Sequence, residues 1–304
     1  MAGGVCAVIV TYRANRVVLA QAIAAITPQV DGVVVFDNGS EGPETDALSV
    51  WNGSPGVVLL RGEGNVGLAE GFNRGIAHAR SAGYRFVLLL DQDSVASPGM
   101  VETLVAAHDE LSETCRVGAV GPQFHDPRSG EPGPFVRIGF PFNRKTLGSA
   151  GDCVDCDFLI SSGSLIPLAV LEQVGDMDGA LFIDNVDLDW SFRARHAGYR
   201  LFGVCDAYLQ HSIGDRVLPS RWVRTGVLVH KPARLYYMMR NRLLLYRRPH
   251  TSWTWVAQDL LRLGGKFLRM SLLIPPRFPN LLAMLGGLRD GLAGRDGPRR
   301  EGGG

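Results

Sequence analysis

Two aspartates, Asp91 and Asp93, stand one residue apart directly after the apolar run FVLLL (86–90). Mg²⁺ and Mn²⁺ prefer carboxylate oxygens as ligands, and they commonly bridge a protein to the phosphate oxygens of its substrate. The alternative interpretation is a polar turn that closes a buried strand. The D-x-D spacing therefore predicts a metal and phosphate site only if the rest of the chain supplies its other parts.

A second acidic cluster, FIDNVDLDWSFR (182–193), opens a predicted helix. Acidic residues in a first helical turn often only complement the helix dipole. Asp189 and Arg193 also have the i, i+4 spacing of a surface ion pair. Asp184 and Asp187 instead share another face at i, i+3, where a carboxylate next to apolar residues could act as a general base. Both interpretations stay open at this point.

Two further polar residues directly follow apolar runs. Asp37 comes after VVVF (33–36) and could accept a hydrogen bond from a pyrimidine base or a ribose, although an Asx-turn explains DNGS equally well. His211 comes after AYLQ (207–210). A lone histidine is more often a satisfied polar residue, but as a neutral imidazole it could complete the ligands of a metal ion.

The pattern N-x-G-x5-N-x-G runs from Asn65 to Gly75 around a predicted helix start. Glycines permit close approach of the backbone, and a helix N-terminus offers amide donors to an anion. Such a pattern is only a weak indication by itself.

Four continuous apolar runs predict parallel strands that are buried on both faces. They are VCAVIV (5–10), VVVF (33–36), VVLL (57–60) and FVLLL (86–90). Helical segments at 15–26 and 67–83 separate the first two and the last two, which predicts right-handed βαβ units. Ligands bind such sheets at the carboxyl ends of the strands. The loops expected at the site are therefore 11–15, 37–40, 61–65 and 91–94.

The composition is that of an ordinary globular protein, with 304 residues, 46% apolar, 20% charged and a formal net charge of +1. This balance gives no case for nucleic-acid binding, which usually shows as a strongly basic domain. Five scattered cysteines indicate thiols of a reducing compartment rather than a disulfide framework. The start lacks a basic signal region, and no apolar run reaches the roughly 18–20 residues that span a bilayer. The sequence therefore predicts a cytoplasmic protein.

To about residue 248, the order of these motifs resembles family-2 inverting glycosyltransferases of the GT-A fold. Within that family the chain is most similar to bacterial rhamnosyltransferases. The motifs that carry this resemblance are VTY (10–12), DNGS, the two N-x-G pairs, DQDS, SSGSLI (161–166), FIDNVDLDW and the YY…RNR segment (236–242). Asp189 stands where those enzymes usually have glutamate.

The resemblance implies an α/β fold, with a Rossmann-like, mostly parallel sheet flanked by helices, plus a C-terminal helical region. It also implies a role for each motif residue. Asp187 is the general base, with Asp184 as the alternative; Asp93 binds Mg²⁺ or Mn²⁺ directly, helped by His211, and Asp91 contacts the ribose or the water shell of the metal. Thr11 and Tyr12 line the nucleotide pocket, Asp37 recognises the base, Asn65 and Asn73 shape the diphosphate side, and Ser162, Gly163, Asp184 and Trp190 lie on the acceptor side.

The implied reaction is metal-dependent, inverting transfer of a sugar from a nucleoside diphosphate to a hydroxyl of a glycan or lipid-linked acceptor. The resemblance implies dTDP-L-rhamnose as donor; nothing in composition or spacing selects it over UDP-galactofuranose or UDP-glucose. A non-catalytic sugar-nucleotide-binding protein is the alternative if the 184–189 cluster is inert. Haloacid dehalogenase-type phosphatases carry D-x-D after the first strand, not the fourth. Nucleotidyltransferases have a Gly-rich, Arg-containing first loop that is absent from VTYRAN (10–15).

We expect a catalytic domain at 1–215, with a nucleotide-binding half at 1–115 and an acceptor-binding half at 116–215. Stretches at 121–134 and 139–151 are rich in Pro and Gly and predict loops. From Arg216 to Gln258 there is no acidic residue, yet nine lysines and arginines lie among aromatic residues. This composition predicts a basic helical tail at 216–293 that contacts the inner face of the cell membrane. The Gly/Arg-rich end at 294–304 is expected to be disordered.

Overall fold

The computed structural model describes residues 4–42, 48, 51, 53–126, 130–211, 216–218 and 227–299. Its strands are β1 (Val5–Thr11), β2 (Gly32–Asp37), β3 (Val57–Arg61), β4 (Phe86–Asp91), β5 (Val95–Ala96), β6 (Val117–His125), β7 (Phe135–Arg137), β8 (Arg144–Thr146), β9 (Cys153–Cys156), β10 (Leu165–Pro167), β11 (Arg200–Gln210), β12 (Arg216–Leu218) and β13 (Val227–Val229). Its α-helices are α1 (Arg16–Ile26), α2 (Leu68–Ser81), α3 (Met100–Ser112), α4 (Leu168–Val174), α5 (Val186–His196), α6 (Pro232–Tyr246), α7 (Trp253–Leu272) and α8 (Arg277–Leu292). Short 3₁₀ turns lie at Thr27–Gln29 and Gly179–Leu181.

The central sheet has the strand order β3-β2-β1-β4-β10-β6-β11-β5, with β9 paired to β11. Strands β3, β2, β1 and β4 are parallel to one another, and β6 is parallel to β11. Strand β10 is antiparallel to both β4 and β6, so it joins the two parallel groups in the same direction. The four predicted strands are therefore confirmed, in a mostly parallel sheet.

Both expected loops are partly wrong. The stretch 139–151 contains strand β8 (Arg144–Thr146). The stretch 121–134 begins inside β6, which continues to His125 despite Gly121 and Pro122. Beyond the Leu165–Val120 pair, β10 no longer pairs with β6. Pro122 therefore has no β10 partner. Proline is tolerated at such a position because no neighbouring strand needs the N–H group that proline lacks.

Alternate side chains of β1 point into two separate cores, as expected for a strand buried on both faces. Cys6, Val8 and Val10 pack with helices α2 and α5, whereas Val5, Ala7 and Ile9 pack with α1 and α3. Two glycines of the N-x-G pattern region explain the close approach of α2. A Cβ at Gly75 would lie 2.1 Å from Val8 Cγ1, and one at Gly71 would lie 2.8 Å from Val10 Cγ1.

The C-terminal helices pack against the α/β layer. Trp255 and Val256 of α7 belong to the same core as Phe192 of α5, and the Phe192 and Trp255 rings meet edge to face at 5.3 Å. Of the Gly/Arg-rich end, Gly297 donates its N–H to the carbonyl of Ala180 at 2.7 Å. Residues 300–304 of that end lie outside the described residues. Among the helices that the structure describes, none combines the length and apolar character that a bilayer crossing needs.

Candidate active site

Three ligating side chains meet at the carboxyl edge of the sheet. Asp91 ends β4, Asp93 follows it, and His211 comes directly after β11. The His211 Nε2 atom lies 3.6 Å from Asp91 Oδ2, and its Nδ1 atom lies 3.5 Å from Asp93 Oδ1. One ligand atom from each residue lies within 4.8 Å of the others. The structure thus brings together Asp93 and His211, the predicted metal ligands, with Asp91, which the resemblance placed at the ribose or in the water shell of the metal.

This Asp-Asp-His group has the chemistry that a divalent cation requires. Two carboxylates and one imidazole suit Mg²⁺ or Mn²⁺. Burial raises the pKa of Asp91, against the opposing effect of His211. Burial lowers the pKa of His211, but Asp93 and Asp91 outweigh it, so the net shift is upward. A cation bound here would displace the proton that the Asp91 and Asp93 carboxylates stabilise on the imidazole ring of His211.

Gln92 lies between the two aspartates, in the loop at 91–94 that we call the metal loop. It links this loop to the loop that follows β1. Its Oε1 atom accepts hydrogen bonds from Thr11 Oγ1 at 3.2 Å and from the N–H of Tyr12 at 2.8 Å. Thr11 is fully buried, whereas Tyr12 is 37% exposed. We did not single out Gln92 from the sequence, although its place between two candidate ligands was a usable signal.

The loop after β2 has the Asx-turn that formed one interpretation of DNGS. Asp37 is buried opposite Thr11 in the β1–β2 register, and its Oδ1 atom accepts the N–H of Ser40 at 3.0 Å. Ser40 Oγ accepts the N–H of Arg13 at 2.9 Å. These bonds fix the β1 and β2 loops against each other beside the metal loop, which is consistent with a base pocket between them.

The two asparagines of the glycine pattern have structural partners. Asn65 Oδ1 accepts from Asn38 Nδ2 at 3.1 Å and from the N–H of Gly67 at 3.0 Å, so it joins two loops of the site. Asn73 donates to the Met177 carbonyl at 2.8 Å and accepts the Met177 N–H at 2.9 Å. With its amide engaged at both ends, Asn73 positions the segment around Met177, and its predicted place on the diphosphate side stays a prediction.

The N-terminus of α2 is not an open anion site either. The carbonyl of Phe182 accepts the N–H groups of Leu68 at 2.7 Å and Ala69 at 3.3 Å. Two of the first helical amides, which are the donors that an anion would use, are therefore taken by the loop that leads to α5.

Asp187 lies in the first turn of α5 and lines a cleft of about 610 Å³. Burial raises its pKa to about 6, against a hydrogen bond from the Leu188 N–H, and the nearby Asp91 and Asp184 add to the rise. Among the described residues, no cation forms an ion pair with Asp187. Asp184, in contrast, is held by Arg234, whose Nε lies 3.0 and 3.1 Å from its two oxygens. Asp187 is therefore the better placed of the two for accepting a proton.

The turn before Asp187 is strained. Phe182, Asp184 and Asn185 have φ angles of 64°, 64° and 66°. Left-handed conformations of this kind cost about 1–3 kcal/mol per non-glycine residue and persist only where surroundings enforce them.

Two residues of the RNR segment supply that enforcement. The fully buried Asn241 donates its amide to the carbonyls of Leu181, Ile183 and Asp184 at 2.8–2.9 Å. Arg240, also fully buried, donates to the carbonyl of Leu181 at 3.0 Å. In the sequence this segment is only part of the family resemblance; in the structure it fixes the turn directly before Asp187.

Three residues expected on the acceptor side make structural contacts. Ser162 is buried beneath the metal loop, with its hydroxyl against Ser94 Oγ and 3.4 Å from the Asp91 N atom. Gly163 has φ +90° and donates its N–H to the carbonyl of Leu89. Trp190 is buried and donates Nε1–H to the carbonyl of Gly175. These contacts support the 91–94 loop and α5, and the acceptor-side role of the three residues stays a prediction.

Asp189 is fully buried and carries three basic partners. Its oxygens lie 2.9 Å from Arg193 Nε, 2.6 Å from Arg248 Nη1 and 2.9 Å from His250 Nε2. Burial raises the pKa of Asp189, but Arg248 and Arg193 outweigh it, so the net shift is downward. The i, i+4 pair with Arg193 that the sequence suggested is present. It is in the interior rather than on the surface, and it joins α5 to the segment after α6.

Comparisons with known proteins agree with this geometry. Residues 6–174 match the family described as glycosyl transferase family 2. The chain is 30% identical over 252 residues to the dTDP-rhamnosyl transferase RfbF of Shigella flexneri, covering 82% of each chain. It is 27% identical over 285 residues to the galactofuranosyltransferase GlfT1 of Mycobacterium tuberculosis, covering 88% of this chain and 90% of that protein.

The fold is similar to that of the mannosyltransferase PcManGT from Pyrobaculum calidifontis, solved with GDP-Man and Mn²⁺. The TM-score is 0.55 at 16% identity, over 95% of this chain and 75% of that chain. This likeness confirms the fold class expected from the sequence.

Proposed function

The chain belongs to glycosyl transferase family 2 and is a glycosyltransferase, and we propose that it transfers L-rhamnose from dTDP-L-rhamnose to a hydroxyl of a glycan or lipid-linked acceptor. One observation carries this proposal: a half-buried carboxylate with a raised pKa, Asp187, opens onto a cleft and lies near Asp91 of the Asp91, Asp93 and His211 group. The similarity to a dTDP-rhamnosyl transferase supports the choice of donor.

In the proposed reaction, Asp187 accepts the proton of the acceptor hydroxyl as that oxygen attacks the anomeric carbon. Displacement from one side inverts the anomeric configuration, so no covalent enzyme intermediate is needed. Thr11, Tyr12 and Asp37 hold the nucleoside, and the ion pair with Arg234 keeps Asp184 from competing as base. Mg²⁺ or Mn²⁺ held by Asp93, His211 and Asp91 would neutralise charge on the departing diphosphate.

UDP-galactofuranose is the second candidate donor, because the chain is also similar over most of its length to a galactofuranosyltransferase. UDP-glucose is a third. A sugar-nucleotide-binding protein without catalysis would bind one of these donors but release no sugar from it.

We expect dTDP-L-rhamnose with Mn²⁺ to raise the melting temperature more than the two UDP sugars do. A ligand at 100 times its Kd stabilises the native state by about 2.7 kcal/mol. The same incubation should slowly release free rhamnose by donor hydrolysis. A larger melting-temperature shift with a UDP sugar would identify that sugar nucleotide as the donor instead. Binding without any hydrolysis or transfer would contradict the proposed sugar transfer.

Substitution of a proposed metal ligand tests the role of the cation, with an exposed glutamate as the matched control. Asp93→Ala should abolish the Mn²⁺-dependent part of the shift, whereas Glu102→Ala, on the exposed side of α3, should leave it unchanged. Equal shifts in the presence of EDTA would contradict the proposed role of the cation.

We also propose that the C-terminal helices contact an anionic membrane surface, where a lipid-linked acceptor for cell-envelope polysaccharide synthesis would reside. Large apolar side chains lie exposed on α7 and α8. They are Trp253, Leu260, Leu261, Leu268, Leu272, Phe278, Leu282 and Leu285, at 47–82% exposure. Exposed apolar helix faces combined with basic residues are typical of interfacial helices.

Full-length protein should co-sediment with vesicles that contain phosphatidylglycerol, and Leu261→Glu/Leu268→Glu should greatly reduce this binding. Truncation is a poor test because Trp255 and Val256 belong to the main core. The control pair Val17→Glu/Leu147→Glu changes exposed residues of the α/β part and should sediment like the parent. Absence of the unmodified protein from the vesicle pellet would refute the membrane contact.

A further inference from the structure

Helix α7 presents a row of three cations to the cleft that contains Asp187. Arg262, Lys266 and Arg269 are spaced i, i+4 and i+7, which places their side chains on one helix face. All three line the cleft, as does Asp187 on its α5 wall. The row therefore faces the space in which the proposed acceptor would react.

None of these three cations forms an ion pair within the described part of the chain. Arg262 donates only to Gln258 Oε1 at 3.2 Å, and Lys266 Nζ has the sulfur of Met238 at 3.6 Å. Arg269 Nε is buried without a hydrogen-bond partner.

The cleft also has no spare carboxylate for the row. Asp259 is engaged by Arg242 Nε at 2.8 Å and by the Tyr246 hydroxyl at 2.7 Å. Asp187 is the remaining cleft carboxylate, and it forms no ion pair with a described cation. Three positive charges thus line the cleft without an ion pair among the described residues.

Such an arrangement favours an anion, because like charges repel and because Lys266 and Arg269 are only partly exposed to water, whereas Arg262 is exposed. Burial lowers the pKa of Lys266 to about 8, and Arg242 and Arg269 add to this effect, against the opposing charge of Asp184, which is itself paired with Arg234. The cleft also contains acceptor atoms without partners: Asn143 Oδ1 and Asn185 Oδ1 are buried and form no hydrogen bond. Hydroxyl groups of a sugar are suitable donors to such atoms.

We propose that Arg262, Lys266 and Arg269 form an anion site for a phosphate or diphosphate group of the acceptor. The site would hold the sugar of that acceptor in the 610 Å³ cleft, with its hydroxyl toward Asp187. This inference rests on the proposed function, because it identifies the chemical class of the acceptor for that same reaction. The donor diphosphate is assigned to the Asp-Asp-His group and is therefore a separate anion.

Inorganic pyrophosphate in EDTA-containing buffer is the probe. Without a divalent cation, the carboxylates of the Asp-Asp-His group repel pyrophosphate, so calorimetric titration of the full-length protein reports on the α7 row. We expect one binding event, weakened about 10–100-fold in Lys266→Gln/Arg269→Gln, because each hydrogen bond to a charged group contributes substantially. Arg277→Gln, which alters an exposed cation outside the row, should bind like the parent.

Two further measurements identify the source of the anion. Binding of dTDP with Mn²⁺ should be the same in the parent and in Lys266→Gln/Arg269→Gln; its loss in the variant would assign the row to the donor and overturn the proposal. Geranyl diphosphate should compete with pyrophosphate, as expected for a lipid-linked acceptor. Equal pyrophosphate affinity in parent and variant, or no binding by the parent, would also overturn it.

These outcomes are separable from failure of the proposed function. Pyrophosphate binding without any dTDP binding would refute the proposed dTDP-sugar donor but leave the anion site. Melting temperatures provide the folding control: removing unpaired like charges should keep or raise the melting temperature of the variant. The Lys266→Arg variant preserves the charge and should retain pyrophosphate binding.

Discussion

The Asp187→Asn variant should turn over about 10²–10⁴-fold more slowly than the parent, with donor binding nearly unchanged. General-base assistance contributes a rate factor of that size, and asparagine retains the shape of the side chain without its basicity. The measurement is transfer or donor hydrolysis under saturating donor, alongside dTDP binding by calorimetry. Asp184→Asn is the matched comparison, because Asp184 is paired with Arg234 and should affect turnover less.

The pH dependence provides an independent check on the same residue. Protonated Asp187 cannot accept a proton, and its pKa is raised to about 6. The value of kcat/KM should therefore rise with pH through about 6 and then level off. If Asp187→Asn kept parental turnover and Asp184→Asn lost it, the base would be Asp184.

The second large effect is expected on stability. The Asp189→Asn variant should lose about 3–5 kcal/mol of unfolding free energy, because removal of one partner leaves buried basic groups uncompensated. Asp189 is fully buried among Arg193, Arg248 and His250. Urea unfolding followed by tryptophan fluorescence measures the change.

A surface ion pair is the appropriate control for this variant. Arg74 and Glu70 are also spaced i, i+4, but Arg74 is 63% exposed. Arg74→Ala should change stability by less than about 0.5 kcal/mol. Similar small losses for Arg74→Ala and Asp189→Asn would show that the buried cluster does not anchor α5 to the C-terminal segment.

The parallel part of the fold was predictable because its signals are local. Each buried strand is a continuous apolar run, and each polar residue directly after such a run lies at one edge of the sheet. This is how Asp37, Asp91 and Asp93 could be placed from sequence. His211 could be joined to them only through the family resemblance, since β10 and β6 lie between β4 and β11.

Other features could not be predicted because they depend on contacts between distant segments. The glycines near Asn73 suggested an anion site, yet Gly71 and Gly75 serve the packing of α2 on β1. Trp190 follows Asp187 by three residues but faces the interior. The strained turn before Asp187 has no local sequence signal, because it is enforced by Asn241, more than fifty residues later.

The turn at Phe182–Asn185 also bears on protein engineering. It is bonded on one side to α2 through the Phe182 carbonyl and on the other to α6 through the Asn241 amide. A chimera that exchanges only the C-terminal helices between relatives would separate Asn241 from the turn whose carbonyl groups accept its hydrogen bonds. A chimera designed to change acceptor preference should therefore transfer residues 179–187 together with 232–299 as one interchangeable unit.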